Sequence, residues 1–151
     1  ISASLVGSEM CIRDRLYSEQ LALEAGLATD PYDEIGILQS ELFRAVRLVV
    51  DTGIHYKKWT REEAMNYMKE KTGMSDTEVR SEIERYIVWP AQALSYKVGM
   101  LKVLELRQLA MDALGNDFDY KEFHSILLDN GEPPLFILEK LVKNWIALKQ
   151  S

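Results

Sequence analysis

Four residues in RAVRLVVDTGIH have the types and spacing for chemistry on a carbonyl or anionic oxygen: Arg44, Arg47, Asp51 and His55. Arg44, Arg47 and Asp51 recur at three- and four-residue steps, which puts them on one face of a helix, where they can pair with one another. His55 follows just past the expected end of that helix. An imidazole held by a carboxylate is a tunable hydrogen-bond donor, and donors aimed at one point stabilise negative charge developing there. The plain alternative is structural. In that case Arg47 and Asp51 form an ion pair, Gly53 permits a left-handed turn, and His55 faces the negative end of the helix.

A second constellation lies in WPAQALSYKVG, where Gln92, Tyr96 and Gly99 fall on one side of a helix. A tyrosine hydroxyl can donate to an oxyanion, a glutamine can bind a peptide group, and a glycine leaves room for a close-approaching backbone. The alternative for Tyr96 is a core aromatic whose hydroxyl reaches a backbone carbonyl. Lys97 points about a hundred degrees away and is expected in solvent. His124 lies beside the apolar stripe of Phe123, Ile126 and Leu127 and carries no assigned role. The methionines at 65, 68, 74, 100 and 111 match helix spacing and suit core filling better than metal ligation. No phosphate loop and no paired-cysteine motif is present.

The elements that must position these residues are helices. A first helix spans Leu16 to Gly26. Ile35, Leu38, Leu42, Ala45, Val46, Val49 and Val50 then form the stripe of a core-facing helix from Asp33 to about Thr52. Thr60 with Glu63, and Ser75 with Glu78, are capping boxes that open the next two helices. Pro90 suits the first turn of a long helix to Leu114, closed by Gly115. Asp119 caps a helix stopped by Asn130-Gly131, and a last helix follows Pro133-Pro134. No strand alternation persists.

At 151 residues, 47% hydrophobic and 28% charged, the chain can bury one domain core. A net charge of −6 and a pI near 5.0 argue against nucleic acid or an anionic membrane as partner, since both attract basic surfaces. No apolar run approaches the roughly twenty residues of a transmembrane helix. The single cysteine is Cys11.

Two runs, RAVRLVVDTGIHYKKWTREEAMNY (Arg44–Tyr67) and YIVWPAQALSYKVGMLKVLELR (Tyr86–Arg107), resemble the C-terminal part of the bacterial "domain of unknown function 885" proteins. The resemblance covers roughly Leu16 to Ala147. It implies an all-α, multi-helix C-terminal part of a larger, zincin-like helical peptidase that hydrolyses peptide substrates with zinc-activated water. Under it, Tyr96 and His55 are the catalytic candidates, and Arg47, Asp51 and Gln92 contact substrate, with Asp51 orienting His55. Glu19 belongs to LYSEQL (Leu16–Leu21), the counterpart of the family's EGWALYxExL run, and would support the zinc site from one layer behind. The metal ligands themselves would belong to an upstream half that holds an HExxH-type helix, and this chain alone is expected to bind no zinc and to be inactive. The position of the family's motif glutamate falls at Ile12.

Residues Ile1–Arg15, ISASLVGSEMCIRDR, depart from the family pattern and look like translated sequencing-adapter read-through, which leaves 16–151 as the helical portion. Apolar stripes facing the absent half are expected to be exposed. The competing function class is a non-catalytic helical module that binds a partner through Trp59, Trp89 or Trp145.

Overall fold

The computed structural model describes residues 15–131 and 133–151, and all regular structure among them is helical. The segment 1–14, with Cys11 and Ile12, lies outside the described residues, and so does most of the run ascribed to adapter read-through. In order come α1 (residues 15–24), α2 (Pro31–His55), α3 (Arg61–Thr72), α4 (Asp76–Val88), a short 3-10 turn (Gln92–Leu94) and α5 (Ser95–Leu114). A second 3-10 turn (Gly115–Asp117), α6 (Tyr120–Leu128) and α7 (Leu135–Lys149) complete it. None of the described helices is long and apolar enough to cross a membrane.

The chain divides into two compact units, Ser18–Val98 and residues 15–17 with Gly99–Ser151. In Ser18–Val98, α2 starts at Pro31 because the Asp30 side chain accepts the Tyr32 N–H and proline needs no hydrogen bond in the first turn. Both capping boxes form: the Thr60 and Ser75 side chains accept the Glu63 and Glu78 N–H groups, and each glutamate answers. Val46, Val50, Ala64, Met68, Val79, Ile83, Tyr86 and Ala93 make the core of this unit. The α2 stripe is only half used. Val46 and Val50 are buried, while Ile35, Leu38, Leu42 and Val49 are exposed.

Two expectations for α2 change. The helix continues through His55, and Gly53 is helical, not left-handed. Its function is close approach: a Cβ built there would lie 2.3 Å from the Trp59 indole, and the Trp59 backbone N–H donates to Gly53 O at 2.9 Å. Gly53→Ala should therefore destabilise the chain by about 1–3 kcal/mol despite alanine's higher helix propensity, because a rigid ring must move. An unchanged denaturation midpoint would refute that packing.

In the other unit, Met100, Val103, Leu106, Ala110, Phe123, Leu127, Leu138 and Val142 are buried. Phe123 lies 6.4 Å from Trp145, ring centre to ring centre. His124, which sequence left without a role, sits 2.9 Å from the hydroxyl of buried Tyr17 through Nε2. Burial first, then Arg107, hold His124 below the ordinary histidine range. The folded state thus favours neutral His124, hydrogen-bonded to the Tyr17 hydroxyl. Below pH ~6.5 the unfolded chain takes up the proton first, so stability falls as pH falls. His124→Gln keeps a hydrogen-bond partner for Tyr17 and should flatten this decline; urea midpoints between pH 7 and 5 with equal slopes in both proteins would contradict it.

Candidate functional site

Arg47, Asp51, His55, Gln92 and Tyr96 lie within Ser18–Val98 around the C-terminal half of α2. Arg47 and Asp51 are the two charged side chains buried there, each 3% exposed. Among the described residues they do not form the expected ion pair. The Asp51 carboxylate instead accepts the backbone N–H of Ala91, at 3.3 Å to Oδ1 and 3.1 Å to Oδ2. Burial pushes the Asp51 carboxyl up, opposed by His55, the Ala91 N–H and Arg47.

Ala91 is why the second motif differs from its expected shape. Trp89, preceding a proline, is forced out of helical geometry and ends α4. Pro90 therefore opens no helix. Ala91 has φ +68°, a left-handed conformation that costs an alanine about 1–2 kcal/mol, and its N–H is fixed by Asp51. Only then do the 3-10 turn and α5 begin, so Gln92 and Tyr96 lie on successive elements and not on one helix. They converge all the same. Arg47 Nη2 donates to Gln92 Oε1 at 3.0 Å, and the Arg47 guanidinium carbon lies 4.6 Å from the Tyr96 ring centre.

Arg44 joins the same ring, its guanidinium 5.3 Å from the Tyr96 centre. Such cation–aromatic contacts orient both partners while leaving the hydroxyl unused. Among the described residues the Tyr96 hydroxyl has no hydrogen-bond partner, so the backbone-carbonyl role weighed for it is not adopted. Both Arg44 Nε and Arg47 Nε are buried without a partner. Glu19 reaches the site only indirectly: Ser40 Oγ donates to Glu19 Oε2 at 3.2 Å and accepts from Arg44 Nη1 at 2.5 Å.

His55 is placed differently from expectation. Its Nε2 donates to the Tyr86 carbonyl at 2.9 Å, and no hydrogen bond links it to Asp51 among the described residues. It anchors the end of α4 from which the Trp89–Gln92 turn departs. Tyr86 in turn donates to Glu82 Oε2 at 2.5 Å; burial, then that bond, raise its phenol above the usual range. Lys97 is not in solvent: its side chain is 12% exposed and ion-paired with Glu41.

Sequence reasoning named Arg44 but gave it no role, and missed Ser40 and the Ala91 N–H. The three-residue step from Arg44 to Arg47 was the available signal for the first. Nothing local predicted the second and third, because both depend on which elements pack together.

Among the described residues no group of three or more His, Cys, Asp or Glu side chains could hold a metal ion. The described residues therefore do not by themselves fit a zinc ion. What they can do is bind and orient an oxygen-bearing ligand, through two guanidinium groups, a carboxamide and a phenol gathered on one helical scaffold.

Fold and site together define an all-helical chain, among the described residues, with two buried charged side chains at the C-terminal half of α2. Residues 15–142 match the model of a family described as bacterial protein of unknown function (DUF885), and the chain belongs to that family. It is also similar to a Colwellia psychrerythraea protein of known crystal structure, provisionally described as a lipoprotein, with 52% identity and a TM-score of 0.90. That match covers 93% of this chain and 24% of the other, so the chain spans about a quarter of that protein's length. No curated protein matches it.

Proposed function

We propose that this chain is the C-terminal, cleft-lining helical portion of a zinc-dependent peptidase whose metal-binding half lies elsewhere in a longer protein. The observation that carries the reading is the free Tyr96 hydroxyl, held in place by Arg44 and Arg47 over its ring. A phenol with no protein partner is available to donate to a substrate oxygen. Arg47 and Gln92 are bonded to each other beside it and supply further groups for a peptide. Asp51 holds the Ala91 turn that carries Gln92, and His55 holds the Tyr86 carbonyl on the other side of that turn. Glu19 acts through Ser40 on Arg44.

Zinc would supply the activated water when bound, and its ligands are assigned outside this chain. The exposed row Ile35, Leu38, Leu42 and Val49 on α2 fits a face covered by the rest of such a protein. The reading of residues 1–15 as adapter read-through belongs to the same proposal. Long-read sequencing of genomic DNA across the codons for Arg15 and Leu16 tests both. An upstream frame that encodes an HExxH-type helix followed by EGWA is the expected result. A continuous frame that retains ISASLVGSEMCIRDR without such a helix would overturn the reading and leave a non-catalytic helical module.

A further inference from the structure

Two positive charges converge on Tyr96 with no carboxylate in ion-pair contact among the described residues. With guanidinium carbons 5.3 and 4.6 Å from one ring centre, Arg44 and Arg47 lie less than about 10 Å apart. Arg47 is 3% exposed, and both Nε–H groups are buried and unsatisfied. A buried cation without a contact ion pair is costly, and a buried N–H without an acceptor adds to that cost. The acids nearby are committed elsewhere: Asp51 to the Ala91 N–H, Glu19 to the Ser40 hydroxyl, and Glu41 to Lys97.

A groove of about 330 Å³, with Gln39, Ser40, Phe43 and Arg44 on one wall and Thr72 and Met74 among its other lining residues, reaches Arg44 from outside. Its mixed lining suits a peptide segment better than a bare inorganic ion.

We propose that Arg44 and Arg47, spaced three residues apart and braced on the Tyr96 ring, form a clamp for a carboxylate group of a peptide ligand. The guanidinium fork matches a planar carboxylate in two-point geometry, which a lysine could not reproduce. Gln92 limits the clamp by occupying Arg47 Nη2, and Ser40 does so for Arg44 Nη1. This inference deepens the peptidase reading and rests on it for the peptide nature of the ligand; the clamp's anion chemistry stands on geometry alone. The carboxylate can be a free C-terminus or an acidic side chain.

The test follows the arginine Nε–Hε resonances of the 151-residue chain by ¹⁵N NMR. Probes are N-acetyl-dialanine, its C-terminal amide, an amidated N-acetyl-glutamyl peptide and inorganic phosphate. Saturable shifts of the Arg44 and Arg47 signals with either carboxylate peptide, and none with the dialanine amide, are expected; which peptide binds distinguishes the two sources. Arg44→Gln should weaken binding about tenfold or more, the loss of one charged hydrogen bond. Arg44 is half-buried, so this variant is safer for folding than Arg47→Gln. Calorimetry on a full-length relative that carries both arginines gives a second measurement independent of this chain's folding.

No shift with either carboxylate, equal shifts with the amide, or a response to phosphate alone would overturn the clamp. A parent that hydrolyses peptides yet ignores their carboxylates would sink the clamp and spare the peptidase reading. A chain that binds carboxylates while its parent hydrolyses nothing would do the reverse.

Discussion

Tyr96→Phe, made in a full-length homologue with peptidase activity, lowers kcat by roughly ten- to a thousandfold while KM moves little. The size follows from losing one hydrogen-bond donor aimed at an oxygen that gains negative charge during reaction. Removing only the hydroxyl leaves the ring, and with it the contacts to Arg44 and Arg47 at 5.3 and 4.6 Å, so the scaffold is spared. The same substitution costs little stability, since the hydroxyl has no protein partner to lose among the described residues. A tyrosine outside the chemistry would leave kcat normal, and a lowered unfolding midpoint would show instead that the hydroxyl has a structural partner. Single-turnover rates on a chromogenic peptide, set beside thermal unfolding of the same variant, separate these cases. A kcat within twofold of the parent would remove Tyr96 from the chemistry.

What could be read in the sequence divides along a physical line. Features fixed within one or two helical turns were legible: the Thr60 and Ser75 capping boxes, the Asp119 cap, and the α2 spacing that puts Arg44, Arg47 and Asp51 together. These depend on local hydrogen bonds that a few residues decide. Features that depend on partners far along the chain were not. Asp51 chose the Ala91 N–H forty residues away over Arg47 four residues away, because a left-handed alanine presents an otherwise orphaned donor to it. Gly53 looked like a turn former; only the position of Trp59 shows that its missing Cβ is what matters. Exposure of part of the α2 stripe was expected, and Ile35, Leu38 and Leu42 are exposed; which of its residues would be buried was not legible, since periodicity marks an apolar face without naming what covers it.

Replacing Asp51 tests whether that long-range contact holds the site together. Asp51→Ala strands the Ala91 N–H, deprives the left-handed turn of its anchor, and removes an opposing charge that acts on buried Arg47. A loss of about 2–4 kcal/mol is expected, the range for breaking a buried charged hydrogen bond while leaving its partners inside. Asp51→Asn should behave otherwise. Its amide oxygen can still accept the Ala91 N–H, and it has no charge to desolvate, so stability at pH 7 should stay within about 1 kcal/mol of the parent chain. The pH dependence discriminates further. Because burial raises the Asp51 carboxyl above its ordinary value of 3.8, the folded state holds that proton more tightly than the unfolded state. The Asp51 contribution to stability therefore falls as pH rises from 3.8 through the raised value, and the asparagine variant lacks this fall. Equilibrium urea unfolding of the three proteins from pH 4 to 7 reads both effects. Should Asp51→Ala unfold at the parent's midpoint, the Ala91 turn does not depend on Asp51. Ala91→Gly then supplies the converse: freed from the left-handed penalty, the turn should gain about 0.5–1 kcal/mol after glycine's greater unfolded-state freedom is subtracted. If the Ala91→Gly midpoint is unchanged or falls, the turn is not under strain, and the anchoring role assigned to Asp51 loses its reason.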